Sequence, residues 1–181
     1  PAFRYAPRAC RQMDAEALGL AVRRHVRDEA DALAGVVRRW TVLDSPLTYH
    51  EMYDVTGEAL LPELFRIARD ALPEARLFLG EDKALTSAAA NRLNDFIGLV
   101  RWFQDQETPL DGLALHVSAG RPYIAPKAMD ARLTRLLEFV DLPIRVVELD
   151  VDAPSGSTQA RRLEDLLLLL ASHYAVADVA V

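Results

Sequence analysis

One cysteine, Cys10, stands in 181 residues, so the chain can form no internal disulfide and no thiolate metal site. Long apolar runs are also missing. The longest, Leu166 to Ala171, is far too short to cross a bilayer, which argues against a membrane partner. Basic residues are outnumbered, 21 against 27 acids, for a net charge of −6. That balance argues against nucleic acid, whose phosphates call for clustered Lys and Arg. Arginines do gather at Arg23, Arg24, Arg27, Arg38 and Arg39, but acids lie beside them, and a solvated helix face accounts for them. No glycine-rich turn follows any apolar strand segment. The turns read Asp44-Ser45-Pro46, Gly80-Glu81-Asp82, His116-Val117-Ser118 and Glu148-Leu149-Asp150. A doubly wound nucleotide fold places a phosphate-holding glycine turn after its first strand. Four histidines occur, but no second one lies at ligand spacing from His116, so neither a metal nor another cofactor is implied.

What is present is a strict alternation. Helical periodicity runs from Asp14, a suitable N-cap, to Leu33, with Leu18, Ala21, Val22 and Val26 on one stripe. A strand is expected from Arg38 to Asp44, then a helix from Glu58 to Leu72 stopped by Pro73. Arg76 to Gly80 reads as a strand, and a helix capped by Thr86 or Ser87 reaches about Gln106. Leu113 to Val117 is the next strand, and Pro126 opens a helix to about Val140. Ile144 to Val151 is an apolar strand ending in carboxylates. A Leu-rich helix from Gln159 to Ser172 follows, and Val176 to Val181 closes the chain as a strand. Five strands alternating with five helices, about 30 to 40 residues per unit, fit parallel β/α architecture. With no compositional break, residues 1–181 read as one domain. Carboxylates at several strand ends favour a (β/α) barrel, whose chemistry sits at that end.

Four segments, in order, resemble glycoside hydrolase family 10, the xylanase-type (β/α)8 TIM barrels. Trp40-Thr41-Val42-Leu43-Asp44-Ser45 stands where the family has a Trp-Asp-Val-Val-Asn-Glu-like strand. Ala71-Leu72-Pro73-Glu74-Ala75 and Gly80-Glu81-Asp82 look like the family's Ala-Asp-Pro-Asn-Ala turn and Asn-Asp-Tyr strand end. Pro109-Leu110-Asp111-Gly112 leads into Leu115-His116-Val117-Ser118, which stands for Gln-x-His. Val147-Glu148-Leu149-Asp150 is similar to the Thr-Glu-Leu/Phe-Asp segment.

The resemblance implies a retaining glycosidase acting on β-1,4-xylan-type glycans, with two carboxyl groups roughly 5 to 5.5 Å apart. It assigns Glu148 to the nucleophile position. The acid/base position falls on Ser45, whose hydroxyl cannot protonate a glycosidic oxygen. Asp44 replaces the substrate-binding Asn, His116 the Gln, and Ser118 the nucleophile-orienting His. Glu81 and Asp82 depart from the Asn-Asp-Tyr pattern but keep its place beside the sugar cleft. Two readings stand side by side: a xylanase-like protein impaired at its acid/base, and a non-catalytic carbohydrate-binding barrel. A third makes Asp44 and Glu148 a new carboxylate pair. The resemblance also implies that this chain is the C-terminal part of a barrel. The N-terminal strands are then expected in the same parent chain or a partner chain.

Tyr49, Tyr53 and Tyr123 fall in post-strand loops and are candidates for stacking on sugars, whereas Trp40 is expected to pack at the base of its strand. Glu51 lies in the loop after the first strand, within reach of a substitute-acid role. Ser45 with His116 as base lacks an orienting third group. His25, His50 and His173 are expected at the surface, and Leu166 to Leu170 in the core.

Overall fold

The computed structural model describes residues 7–89, 91–120 and 123–181. After a 3-10 turn at Arg8–Gln12 come helix α1 (Ala15–Leu33), strand β1 (Arg39–Leu43), and helices α2 (Glu51–Thr56) and α3 (Leu60–Ala71). Then follow β2 (Arg76–Asp82), α4 (Arg92–Asp105), β3 (Gly112–Ser118), α5 (Pro126–Phe139), β4 (Ile144–Asp150), α6 (Gly156–Ser172) and β5 (Val176–Val179). The five strands are parallel and ordered β1-β2-β3-β4-β5 without reversal. This is the winding of a barrel, since a doubly wound sheet changes direction at its switch point.

The expected elements are present, with differences at their ends. Asp14 caps α1 through its side chain, which accepts from the Ala17 N–H at 2.8 Å. The helix expected from Thr86 or Ser87 starts instead at Arg92, and Ala90, inside that expected span, lies outside the described residues. Arg132 draws the carbonyls of Leu85 and Ser87 to its guanidinium at 2.7 and 2.8 Å, away from helical pairing. Helix α2 is not among the expected elements, because six residues are too few for a periodic stripe.

Alternation along each strand sorts residues onto two faces. Leu77 and Leu79, then Leu113, Leu115 and Val117, point to the helices and join one core with Phe65, Phe96, Phe103, Met129 and Leu166. Phe65 and Phe103 meet edge to face, with ring centroids 5.4 Å apart. The opposite face carries Phe78, Gly80 and Asp82 on β2, and Gly112, Ala114, His116 and Ser118 on β3. Phe78 and Ala114 are buried yet stand outside the helix-facing core.

Three of the four strand pairs slip by one residue. The shifts fall between Thr41 and Leu43, between Val146 and Glu148, and between Val176 and Asp178. Each is a bulge that inverts the facing of the residues beyond it. On β4, Ile144 and Val146 face the core, and unbroken alternation would send Glu148 there too. The extra residue Val147 turns Glu148 to the inner face and gives the core Leu149 and Val151 instead.

The sheet curls into a trough. A flat five-stranded sheet would hold its outer strands roughly 19 Å apart. Here Arg39 of β1 donates to Asp178 of β5 at 2.6 Å. Arg145 of β4 donates to both oxygens of the same Asp178 at 2.9 Å and covers the Phe78 ring at 5.3 Å. The base of the trough is thus held by charge. Strands β1 and β5 remain half-exposed, as the ends of an open barrel segment.

At the same base, Asp111 ties three elements. Its carboxylate accepts from the Leu77 N–H at 2.7 Å and pairs with Arg69 of α3. Asp111→Ala strands that N–H and frees Arg69. Unfolding in urea should show a loss of about 1 to 3 kcal/mol; an unchanged midpoint would remove Asp111 as a tie.

Candidate functional site

The carboxyl ends of the strands open onto a pocket of about 270 Å³, lined by Asp44, Ser45, Tyr49, Asp82, Lys83, His116, Val117, Ser118, Glu148 and Asp150. Six of the seven residues singled out by the family pattern meet here, together with Tyr49. The exception is Glu81. Alternation places it on the outer face of β2, fully buried, where it cannot touch a ligand in the pocket. Lys83, Val117 and Asp150 also line the pocket, although the family pattern gives them no role. Asp150 follows Glu148 by two on the inner face of β4, a signal that was available.

His116 is the centre of the pocket. Its Nε2 lies 3.1 Å from Asp44 Oδ1, and its Nδ1 lies 3.0 Å from Glu148 Oε2. The two carboxylates approach different nitrogens of the ring, and only the Glu148 contact has hydrogen-bond geometry. Among the described residues no cluster of three or more His, Cys, Asp or Glu is arranged to hold a metal ion. Asp44 and Glu148 are half or more exposed, whereas His116 is mostly covered beneath them.

Asp44 depends on Gly80. A Cβ at Gly80 would overlap Asp44 Oδ1 and stand 3.1 Å from the Asp44 Cα, which is backbone and cannot swing away. Ser45 is 2% exposed, and its φ of 51° lies in the left-handed region that side chains rarely adopt. Its Oγ donates to Asp44 Oδ1 at 3.2 Å and accepts from the Asp82 N–H at 2.9 Å. Lys83, across the rim, also has positive φ, so backbone strain is concentrated at the pocket. Lys83 pairs with Asp82 at 3.0 Å.

Behind the pocket, Arg92 gathers the loop after β1. It donates to the Leu47 carbonyl at 3.0 Å, to Thr48, and to both Glu81 and Asp82. The Thr48 hydroxyl donates to Asp82 at 2.6 Å. Burial pushes the Asp82 carboxyl up, but hydrogen bonds from Thr48 and Lys83, with the Lys83 charge, outweigh it and hold it below the usual carboxylate range. Glu81 goes the other way. Burial dominates and raises it to about 7, against the Arg92 cation and the Leu47 N–H.

The other aromatic candidates are engaged elsewhere. Tyr53 donates to the Pro46 carbonyl at 2.7 Å and lines a separate recess with Leu61 and Trp102. Tyr123 lies under the Arg162 guanidinium, 4.0 Å from its ring centre. Glu51 sits on α2, away from the pocket lining. His25 and His50 are exposed, but His173 is not the surface residue expected: only 15% of its side chain is exposed, and it contacts Asp130 at 2.8 Å. Trp40 packs against the core as expected.

Glu81 makes stability depend on pH. The folded carboxyl keeps its proton to about 7, the unfolded one only to its ordinary value of 4.5. Folding therefore takes up a proton between those values, and the stability from this group falls as pH rises through the window. The melting-temperature advantage of the parent over Glu81→Gln should shrink from pH 4.5 to 7.5; a constant difference would show that Glu81 does not titrate there.

Comparison with known proteins places this geometry. The family model for Glycosyl hydrolase family 10 matches residues 6–181. Endo-1,4-beta-xylanase 3 of Hypocrea jecorina is 30% identical over 115 residues, 59% of this chain and 33% of that protein. Anti-sigma-I factor RsgI6 of Acetivibrio thermocellus is 25% identical over 177 residues, 96% of this chain and 22% of that protein. Native xylanase 10B from Thermotoga maritima superposes with a TM-score of 0.79 at 19% identity, over 93% of this chain and 55% of that one. Xylanase XynB from Paenibacillus barcinonensis gives 0.80 at 18%, over 99% and 60%. The chain thus spans between a fifth and a third of these curated relatives and somewhat over half of the solved barrels. With five parallel β/α units in barrel order and a family match over nearly its whole length, the chain belongs to glycosyl hydrolase family 10.

Proposed function

We propose that the strand-end pocket binds a β-1,4-xylan-type glycan and that the retaining hydrolysis implied by the family pattern is lost. The observation that carries this is Ser45. It stands at the acid/base position, it is buried, and its hydroxyl is committed to Asp44 and to the Asp82 N–H. A serine hydroxyl there has neither the acidity nor the access to protonate a leaving group.

Binding has independent support. Tyr49 is 47% exposed at the pocket rim, and an aromatic side chain there suits a sugar. Asp44, Asp82, Glu148 and Asp150 supply acceptors for sugar hydroxyls. With Lys83 tied to Asp82, their charge favours a neutral glycan over a uronate-bearing one. One relative is named for an anti-sigma factor, so a segment of this kind also occurs in a chain named for regulation, not hydrolysis. This favours a binding role as the alternative to an impaired hydrolase. The upstream strands that close the barrel belong, on this reading, to the parent chain or a partner.

Calorimetric titration of the full-length protein with xylohexaose tests the reading. Saturable binding is expected, weakened about tenfold by Tyr49→Ala, equivalent to about 1.4 kcal/mol. No heat with xylohexaose would end the xylan assignment. Equal binding of cellohexaose would widen the ligand class to β-1,4-glycans.

A further inference from the structure

We propose that Arg92 and the buried Glu81, both behind the pocket, are a positioning pair for the glycan site. Together they hold the loop after β1 in the arrangement that sets Tyr49 at the rim, and so set glycan affinity without touching the glycan. The proposal rests on the glycan-binding reading above and adds the residues that govern it.

The two side chains grip one loop residue at both of its backbone polar groups. Arg92 donates to the Leu47 carbonyl at 3.0 Å, and Glu81 accepts from the Leu47 N–H at 3.4 Å. The second contact is long, so most of the hold falls to Arg92. Arg92 also donates to Glu81, which closes the clamp. Leu47 lies midway between Ser45 and Tyr49, and both of these line the pocket. One residue further on, Arg92 donates to the Thr48 hydroxyl. A guanidinium can only donate, so that hydroxyl accepts from Arg92 and gives its own hydrogen to Asp82, at 2.6 Å. The link from Arg92 through Thr48 to Asp82 therefore runs in one direction and ends on a carboxylate of the pocket.

The loop needs such a hold. Ser45, at its start, has a φ of 51°, a sparsely populated conformation that persists only where the surroundings enforce it. Tyr53 adds a tie farther along, to the Pro46 carbonyl at 2.7 Å. The guanidinium itself is held against its own preference. Its Nε is buried without a partner, a loss that an unrestrained side chain would relieve by turning. The contacts to Leu47, Thr48, Glu81 and Asp82 keep it in place.

Glu81 makes the hold sensitive to pH. Around its buried carboxyl stand Arg92 of α4, Asp82 next along β2 with Lys83 beyond it, the Leu47 N–H of the loop, and Tyr53 of α2. Burial, with Asp82 close by, outweighs Arg92 and the Leu47 N–H and lifts this carboxyl to about 7. A loop that swings away uncovers Glu81 and returns it to its ordinary value of 4.5. The closed loop thus takes up a proton between those values, and pH rising through that window favours opening. A glycan that needs the closed loop then binds less tightly, in proportion to the fraction of closed molecules lost.

Calorimetric titration of the full-length protein with xylohexaose, at pH 4.5 and 7.5, tests the pair. Arg92→Lys keeps the charge, but one ammonium does not span Leu47, Thr48 and Glu81 as the planar fork does. Its affinity is expected to fall about tenfold, as when the closed loop drops to about a tenth of the molecules. Hydrogen exchange should quicken in residues 45–50 and stay slow in β3, which separates a loosened loop from an unfolded protein. Thr48→Val leaves Arg92 in place and should give a smaller loss of the same kind; with Glu81→Gln it decides the matter if Arg92→Lys unfolds. In the parent, affinity is expected to fall roughly threefold from pH 4.5 to 7.5. Glu81→Gln has no carboxyl to ionise and should lack that fall. Unchanged affinity in both Arg92→Lys and Thr48→Val, or the same pH profile in Glu81→Gln as in the parent, would overturn the pair while leaving glycan binding in place. No binding by the parent at either pH would overturn the glycan reading and the pair together.

Discussion

Everything in this chain depends on which way each strand residue faces. A sheet covered by helices on one side and open to a trough on the other packs most of its apolar side chains on the helix side. Regular alternation would have spoiled that sorting on β1, β4 and β5, where charged residues fall on the core parity. The bulges before Asp44, Glu148 and Asp178 correct it. Each inserted residue lets a charged side chain enter the trough and a hydrophobic one take its place against the helices. Two of the three bring Asp44 and Glu148 to the pocket. The third supplies the Asp178 that holds Arg39 and Arg145 across the base.

The pocket is built on a second constraint, the loop after β1. Its backbone turns at Ser45 in a conformation that costs energy, about 1 kcal/mol or more for a residue with a side chain. Arg92 offsets that cost by gathering Leu47, Thr48, Glu81 and Asp82 around one guanidinium. The Nε of the same guanidinium is buried without a protein partner, so the network is tight but incompletely satisfied. Glu81, on the outer face, thereby holds the loop at Leu47 without approaching the pocket.

Most of the architecture was legible from periodicity. Among the described residues, all five strands and five of the six α-helices are where the apolar spacing puts them, because long amphipathic segments carry redundant signal. The family pattern pointed to the strand ends, where Asp44, Ser45, His116 and Glu148 do converge. Three things were not legible. The short helix α2 has too few turns to show a stripe. Glu81 looked like a cleft residue because its motif position was read without its parity. The bridging role of His116 needs the third dimension, since residues 44, 116 and 148 become neighbours only when the sheet curls. The bulge on β4 did leave a trace. Val146-Val147 is a doublet where strict alternation would show one apolar and one inward residue.

The bulge at Val147 also changes how this protein can vary. Along an ordinary stretch of strand, replacing a residue alters one contact and leaves its neighbours' orientation alone. At β4 the orientation of Glu148, Leu149, Asp150 and Val151 is a matter of counting. A codon lost or gained just before Glu148 would reverse all four at once. Carboxylates would turn into the core, and leucine and valine into the pocket. The site is therefore tolerant of spelling changes and intolerant of frame changes within the strand. Its descent should proceed by exchanged letters, with insertions and deletions confined to the loops beyond.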